Sequence, residues 1–281
     1  MMVVYPNAKI NIGLRVVARR SDGFHDIETV FYPIPLSDRL EIELSDAGAG
    51  LDFECSGSWL ENERPGANLC CKAYDLLNEA CGLPPMKIRL HKQIPVGAGL
   101  GGGSSDAAFT LLALNRLCGL SLSDDELSRF AARLGSDCAF FIRSVPALGT
   151  GKGDVLQEIP LSLDGYSLLL VKPPVSVSTA EAYSLVQPLV RNIRLTELLQ
   201  LPVTEWKYHI TNDFEKSVFK KYPEIERIKN KLYDLGAIYA IMSGSGSSVY
   251  GIFERLPEHP DIFFPDSFLW QTKKFFSHKR K

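Results

Sequence analysis

The most constraining feature of this chain is a glycine-rich segment near residue 100. Five glycines fall within residues 97–103, and two serines and a helix-forming run follow them. Glycine costs the folded state backbone entropy, so this density predicts unusual dihedral angles or a very close neighbour. The preceding residues, 87–92, alternate polar and apolar side chains and predict a strand. The following residues have helical spacing, with Ser104 or Ser105 as the N-cap and Gly119 as the stop signal.

A strand, a glycine loop and a helix N-terminus in this order predict an anion site. The unpaired N–H groups of the loop and the positive end of the helix dipole point to the same place. We therefore expect the loop to hold phosphate. A flexible linker is the alternative, but the placement between a strand and a capped amphipathic helix disfavours it.

Three familiar phosphate loops fit this segment poorly. A Walker A loop requires a lysine that is absent here. Gly97, Gly99 and Gly102 satisfy the dinucleotide pattern GxGxxG, but almost any loop this rich in glycine contains it. Dinucleotide binding also requires an acidic residue at the end of a second strand about 20 residues on, whereas residues 117–125 have the pattern of a helix end and a loop. The glycine loop of protein kinases joins two strands, whereas this one opens a helix.

The composition is that of an ordinary globular protein. The 281 residues are 45% hydrophobic and 23% charged, and 31 basic against 33 acidic residues give a net charge of −2. This balance offers no attraction to nucleic acid or anionic membranes, and no apolar run reaches the roughly 18 residues of a membrane span. The six cysteines form no CxxC pair and are expected to be free thiols in a reducing compartment. Without a signal-peptide pattern, we expect a cytoplasmic protein that binds neither nucleic acid nor membrane.

The pattern along the chain predicts mixed α and β structure in two domains. Ser123 with Glu126 is a capping-box signature that begins a short helix, and the glycine cluster 149–154 predicts a turn. A new strand–helix series follows this cluster and predicts domains at 1–158 and 159–281. The other predicted strands are 9–17, 27–32, 39–45, 166–172, 238–242 and 249–253. The other predicted helices are 66–81, 179–186, 223–235 and a terminal one at 268–276, followed by a basic, solvated tail at 277–281.

Two charged residues stand in otherwise apolar surroundings. Lys9 belongs to a β-like segment, where a lysine faces solvent by default. Asp137 precedes an apolar run, and its carboxylate either caps a helix or serves as a base in a dry site. Phosphoryl transfer to an alcohol requires charge compensation and a group that accepts the hydroxyl proton. The residues alone leave the structural and the catalytic interpretation open for both.

Three segments, in order, resemble the three motifs of the GHMP small-molecule kinases: residues 6–11, the glycine–serine loop 95–108 and residues 241–248. A narrower match within the family rests on residues 8–11, 22–25, 135–141 and 212–215. Together the segments span residues 6–248, which is nearly the whole chain. One departure is Phe24, because the family usually has tyrosine before the motif histidine. A phenyl ring keeps the stacking surface and loses a hydroxyl.

The resemblance implies an α+β, two-domain GHMP kinase fold, with an S5-like N-terminal domain that carries the phosphate loop and a ferredoxin-like C-terminal domain. It implies transfer of phosphate from ATP, with Mg²⁺, to a small-molecule substrate, a cytidine diphosphate-linked methylerythritol. Asp137 would be the general base and Lys9 would orient and support it. The implied ATP-binding residues are Pro95, Gly97, Gly99, Leu100, Gly101, Gly102, Gly103, Ser104 and Ser105. Either serine could also approach the nucleotide-bound Mg²⁺, and no separate metal site is expected.

The resemblance also implies contacts to the substrate. His25 would hydrogen-bond the cytosine, with Phe24 and Tyr183 stacked on its two faces, unless Tyr183 simply packs in the core. Gly244 and Ser245 either close over the phosphate loop or form only a tight hairpin. The remaining implied contacts are Asn11 and Thr179, and Lys172 is a further candidate for the substrate phosphates.

Two alternatives accompany this interpretation. The first is a GHMP kinase for mevalonate, homoserine or a sugar, which would not need the base-reading set Phe24, His25 and Tyr183. The second is a non-catalytic nucleotide- or RNA-binding protein on the same fold, which the near-neutral charge disfavours. The sequence leaves the oligomeric state open between a monomer and a weak homodimer.

Overall fold

The computed structural model describes residues 1–45, 50–58, 68–273 and 275. The chain divides into two compact units that interleave along the sequence. The first comprises Met1–Lys9, Pro33–Val96 and Gly101–Val145, and the second comprises Ile10–Tyr32, Gly97–Leu100 and Pro146–Lys281. The predicted domain boundary at residue 158 stays a prediction. The predicted basic tail 277–281 and the first two residues of the predicted helix 66–81 lie outside the described residues.

Both units contain strands and helices. The strands in the described ranges are β1 (Met2–Val4), β2 (Asn7–Arg19), β3 (His25–Ser37), β4 (Arg39–Leu44), β5 (Leu51–Gly57), β6 (Met86–Lys92), β7 (Ala147–Thr150), β8 (Val155–Glu158), β9 (Ser167–Lys172), β10 (Tyr239–Met242), β11 (Val249–Phe253) and β12 (Phe268–Thr272). The helices there are α1 (Leu69–Cys81), α2 (Gly102–Leu117), α3 (Asp124–Leu134), α4 (Cys138–Arg143), α5 (Thr179–Leu185), α6 (Leu195–Leu198), α7 (Val203–His209), α8 (Glu215–Lys221) and α9 (Pro223–Asp234). None of these helices is both long and apolar enough to cross a membrane.

The first unit is built on a sheet of order β1-β4-β6-β5. The β5–β6 pair is parallel, and α1 lies in the connection that a parallel pair requires. Alternating residues of β4 and β6 form the buried face, where Leu40 lies opposite Leu90 and Ile42 opposite Ile88. The polar–apolar alternation that predicted β6 is therefore confirmed. This sheet carries β6 directly into the glycine loop.

The second unit contains sheets of order β2-β3-β7-β8 and β10-β11-β9-β12. Every residue of β9, β10 and β11 is buried. Ile225, Ile228 and Leu232 of α9 join a core that also contains Val171 and Val249 from the sheet. Burial explains why these strands read as continuous apolar runs, since no side of them faces water.

Most predicted elements are confirmed. The helices at 179–186 and 223–235 correspond to α5 and α9, and the cluster 149–154 is the turn between β7 and β8. The Ser123 capping box begins α3 with both of its reciprocal hydrogen bonds. All six cysteines are free thiols.

Two predictions about helices are wrong. The predicted terminal helix at 268–276 is instead β12, which pairs antiparallel with β9 over Phe268–Thr272. Residues of β12 pair with the edge of β9, and this tertiary pairing outweighs the helical spacing of the apolar residues in the sequence. The predicted N-cap of α2, Ser104 or Ser105, is also wrong, because Gly101 with φ of 71° takes that position. The left-handed backbone at Gly101 starts the helix earlier and places both serines inside its first turn.

Candidate active site

Lys9 and Asp137 form an ion pair within the first unit. Lys9 lies in β2 and is only 4% exposed, so the expectation of a solvent-facing lysine does not hold. Its Nζ lies 3.4 Å from Oδ2 of Asp137, whose side chain is 32% exposed. Asp137 occupies the N-cap position of α4 but its side chain makes no capping hydrogen bond. Its carboxylate is therefore directed to a buried cation and to solvent, an arrangement suited to accepting a proton.

The start of α2 packs directly against this pair. A Cβ atom on Gly101 would lie 3.2 Å from Cε of Lys9 and 2.9 Å from Cζ of Phe141. Ser104, in the first turn, hydrogen-bonds the thiol of Cys138, and burial raises the pKa of that thiol to about 11. The first turn of α2 is thus held beside both Lys9 and the residue that follows Asp137.

The two candidate serines for Mg²⁺ differ in exposure. Ser104 is half-buried, whereas Ser105 is completely buried and its Oγ has no hydrogen-bond partner in the part of the chain that the structure describes. Only the Ser104 hydroxyl combines an oxygen ligand with solvent access. No cluster of three or more His, Cys, Asp or Glu side chains among the described residues could hold a metal ion.

A buried charge cluster lies behind the glycine loop. Lys92, the last residue of β6, contacts the carboxylates of Asp38 and Asp106, at 2.6 Å for Asp106 Oδ2. The other oxygen of Asp38 accepts hydrogen bonds from the backbone N–H groups of Gln93 and Ile94. The cluster therefore contacts the chain on both sides of the loop, since Asp106 lies in α2, just after its first turn.

The charges of this cluster do not cancel. Burial raises the pKa of Asp106 to about 8, against the opposing effect of Lys92 and with a further contribution from Asp38. Burial disfavours the charged form of Lys92, but the two carboxylates outweigh it and raise the lysine pKa above its ordinary value. Two carboxylates with one ammonium would leave an excess negative charge. The acid that favours its protonated form is Asp106, whose Oδ1 accepts no hydrogen bond in the described part of the chain, whereas Oδ1 of Asp38 accepts two.

Ser243 joins the three motifs within the second unit. Its Oγ accepts a hydrogen bond from the backbone N–H of Asn11 at 3.2 Å and donates one to the carbonyl of Gly99 at 2.9 Å. A Cβ atom on Gly99 would lie 2.1 Å from the Ser243 carbonyl oxygen, so only glycine fits there. Gly244 also lies near the glycine loop, since its Cβ would lie 3.3 Å from Gly99 and 3.4 Å from Oδ1 of Asn11. Sequence reasoning missed Ser243, although it lies inside the recognised third motif.

The predicted ATP-binding residues fall into two groups. Gly97, Gly99 and Leu100 belong to the second unit, and Gly101, Gly102, Gly103, Ser104 and Ser105 belong to the first. Gly97 and Gly103 are exposed, while Pro95 and Leu100 are buried. Gly102 packs against the charge cluster, with 3.3 Å from its would-be Cβ to Nζ of Lys92.

The residues predicted to hold the cytosine lie in the second unit and are partly assembled. The His25 ring stacks on Tyr183, with centroids 4.9 Å apart and an angle of 22° between the planes. Tyr183 also meets the edge of Phe214 at 4.8 Å. Phe24 is 56% exposed, and Nζ of Lys152 lies 5.0 Å from its ring centroid. The structure thus brings His25 and Tyr183 together and places Phe24 beside a cation.

The remaining predicted substrate contacts differ in accessibility. Thr179 and Ser245 lie side by side, with their hydroxyl oxygens 3.1 Å apart. Asn11 is buried, and its Nδ2 donates to Thr29 Oγ1 at 2.9 Å. Lys172 is also buried and donates to the carbonyl of Val175 at 3.2 Å. Thr179 and Ser245 are therefore the more accessible of these groups.

Comparison with known proteins gives a consistent result. Two family models match the chain, "GHMP kinases N terminal domain" over residues 68–144 and "GHMP kinases C terminal" over residues 196–262. A 4-diphosphocytidyl-2-C-methyl-D-erythritol kinase of Parabacteroides distasonis is 51% identical over 272 residues, covering 96% of this chain and 98% of the relative. A crystal structure of 4-(cytidine 5'-diphospho)-2C-methyl-D-erythritol kinase is 32% identical with a TM-score of 0.80, covering 96% of this chain and 98% of that chain. The mevalonate kinase of Methanococcus jannaschii is 14% identical with a TM-score of 0.69 over 98% of both chains, and this likeness concerns the fold alone.

Proposed function

The chain belongs to the GHMP kinases, and from this premise we propose that it phosphorylates 4-diphosphocytidyl-2-C-methyl-D-erythritol with ATP. The predicted α+β, two-domain fold of that family, S5-like and ferredoxin-like, is confirmed. The chain is an ATP-dependent small-molecule kinase, and its proposed place is the kinase step of the non-mevalonate isoprenoid pathway. The alternative of a non-catalytic RNA-binding protein on the same fold loses its support.

The Lys9–Asp137 pair carries the proposed mechanism. Asp137 accepts the proton of the substrate 2-hydroxyl, whose oxygen then forms a bond to the γ-phosphorus. The bond from that phosphorus to the β–γ bridging oxygen breaks, and ADP leaves. The Lys9 ammonium, 3.4 Å from the carboxylate, holds Asp137 in place before the transfer and compensates negative charge during it.

The glycine loop binds ATP in this proposal. Its backbone N–H groups and the N-terminus of the 16-residue helix α2 attract the β- and γ-phosphates. Magnesium bound with the nucleotide would neutralise phosphate charge, and the Ser104 hydroxyl would be the protein oxygen that holds it. His25 and Tyr183 bind the cytosine, while Thr179 and Ser245 contact the rest of the substrate. Cytoplasmic location and the monomer or weak homodimer stay predictions.

A coupled ADP-release assay tests this function. The purified chain receives ATP and Mg²⁺ with 4-diphosphocytidyl-2-C-methyl-D-erythritol, mevalonate, homoserine or galactose in parallel. We expect ADP release with the cytidylyl substrate and none above background with the others. Release with a different alcohol would refute the proposed substrate, and retained ATP binding without turnover on any alcohol would refute the kinase function.

A further inference from the structure

The segment Asn212–Glu215 was matched in the sequence but has no role in the chemistry above. It lies between α7 and α8, and Asn212 and Glu215 are only 3% and 8% exposed. Burying an amide and a carboxylate is costly unless both are fully hydrogen-bonded. Their hydrogen bonds therefore indicate what the segment does.

Asn212 holds two carbonyl groups of the third motif. Its Nδ2 donates to the Met242 carbonyl at 2.8 Å and to the Gly244 carbonyl at 2.7 Å. Its Oδ1 accepts the backbone N–H of Phe214 at 3.0 Å. This pattern needs two donors and one acceptor on a short side chain, which asparagine alone supplies. Aspartate would oppose two carbonyl oxygens with another oxygen.

Glu215 holds the other backbone polar group of Met242, its N–H. Its Oε1 accepts the backbone N–H of Met242 at 2.9 Å, and its Oε2 accepts Nζ of Lys229 at 2.6 Å. Both backbone polar groups of Met242 are thus fixed by side chains of one four-residue segment. Burial raises the pKa of Glu215, and the opposing effects of Lys229 and of the Met242 N–H do not fully offset it, so holding the carboxylate at this position carries a cost.

Ser243 lies between the two carbonyls that Asn212 holds. The position of Met242 and Gly244 therefore determines where the Ser243 hydroxyl and carbonyl lie. That hydroxyl donates to Gly99 in the glycine loop at 2.9 Å, and the Gly99 backbone has no room to move closer to the Ser243 carbonyl. A displacement of Met242–Gly244 would consequently reach Gly99 and, through the 3.2 Å hydrogen bond, Asn11.

We propose that Asn212 and Glu215 are positioning residues that hold Met242–Gly244 so that Ser243 fixes the glycine loop at Gly99 for ATP. This inference rests on the proposed function, because it assigns the glycine loop to the nucleotide. Neither residue touches the reacting atoms. Their effect is on the binding of ATP and on turnover, and it passes through the Ser243 hydroxyl.

The test compares Asn212→Ala, Glu215→Ala and Ser243→Ala with the parent chain. Each is expected to weaken ATP binding, measured by calorimetry with a non-hydrolysable ATP analogue, and to lower kcat/KM for ATP by about 10–100-fold, since a displacement near 1 Å costs that much. Glu215→Gln keeps an oxygen for the Met242 N–H and should stay within about threefold of the parent. Tyr233→Phe is the matched control. It removes a hydroxyl that donates to the Ala240 carbonyl and accepts from the Ala240 N–H, both at 3.1 Å, on the same strand β10. This variant should lower thermal stability without changing kcat/KM.

A double-mutant cycle distinguishes positioning from general destabilisation. Asn212→Ala should add little to the loss already caused by Ser243→Ala, because both act on one contact. Additive losses, or Asn212→Ala and Glu215→Ala chains with parent affinity for the ATP analogue, would overturn the proposal. If Asn212→Ala does not fold, Glu215→Ala against Glu215→Gln gives the same decision. Absence of turnover on the cytidylyl substrate in the parent would refute the proposed function, while the ATP-analogue affinities would still decide this inference.

Discussion

Replacing Lys92 by methionine should destabilise the chain more than any surface charge deletion. Lys92 is 6% exposed, and its ammonium contacts both Asp38 and Asp106, whose carboxyl groups are almost completely buried. Methionine fills the space but leaves both acids without a cation. Breaking a buried ion pair in this way costs about 3–5 kcal/mol of unfolding free energy, which lowers the midpoint of thermal unfolding by roughly 10 °C in a chain of this size.

Asp106→Asn, in contrast, should leave the unfolding free energy almost unchanged. It removes the excess charge and leaves Lys92 paired with Asp38, which also keeps the N–H groups of Gln93 and Ile94. We expect a change within about 1 kcal/mol, and a partial recovery when Asp106→Asn is added to Lys92→Met. Lys87→Met is the matched control on the same strand, because its Nζ lies 3.3 Å from the exposed Asp52 and such a pair contributes at most about 1 kcal/mol.

The same cluster predicts a pH dependence with a definite sign. Because burial raises the pKa of Asp106 to about 8, the folded chain retains a proton that the unfolded chain releases near pH 4. The unfolding free energy of the parent should therefore fall between about pH 4 and pH 8, relative to Asp106→Asn, which does not titrate. Circular dichroism melts of the parent, both single variants and the double variant measure this. A Lys92→Met loss no larger than that of Lys87→Met, or an Asp106→Asn loss equal to that of Lys92→Met, would refute the reasoning.

Three further predictions concern the proposed reaction. Asp137→Asn should lower turnover by about 10²–10⁴-fold, because a positioned base is lost. The variant should still fold, since no capping hydrogen bond is broken, but at a lower melting midpoint because the buried Lys9 ammonium loses the carboxylate 3.4 Å away. Near-parent turnover in the ADP-release assay would remove Asp137 from its role. Gly99→Ala should lower kcat/KM for ATP by about 100-fold because its Cβ would lie 2.1 Å from a backbone oxygen. It should also lower the melting midpoint more than Gly97→Ala does, because a Cβ on Gly97 meets open space. Equal melting midpoints of the two variants would contradict the packing argument. His25→Ala should raise the KM of the cytidylyl substrate and leave that of ATP unchanged. A similar rise in both KM values would show that the His25–Tyr183 stack does not recognise the base.

Local signals in the sequence predict much of the fold and some of the site. Periodicity places α5, α9 and β6, and the Ser123–Glu126 spacing places the start of α3, because these features depend on neighbours in the chain. The terminal strand β12 was predicted as a helix because its pairing with β9 depends on residues about 100 positions away. The interleaving of the two compact units has the same origin. Nothing within residues 10–32 indicates that they belong with the chain after 146.

The site likewise contains residues that the sequence predicts and pairings that only the fold reveals. Motif spacing identifies Lys9 and Asp137, but not their ion pair, which depends on how α4 meets β2. Lys92 and Asp106 are each ordinary in sequence, a charged residue ending a strand and an acid near the start of a helix. Their partnership with Asp38 emerges only when β6, α2 and the end of β3 converge. Buried polar groups that pair over long sequence distances leave no periodic trace, so the search for them has to begin from burial.

The glycine loop itself explains why a cluster of glycines is more informative than any one of them. Gly99 is required by a positive φ of 76° and by the Ser243 carbonyl, while Gly102 has a helical backbone and is required by Ile94 and the Lys92 ammonium. These constraints come from different parts of the chain and are independent of one another. All of these constraints apply to one segment when its backbone is held close to several neighbours. Such a backbone can present its N–H groups to a ligand. That combination is what binding of a nucleotide phosphate requires, which is why the composition of this loop predicts function where the composition of the whole chain does not.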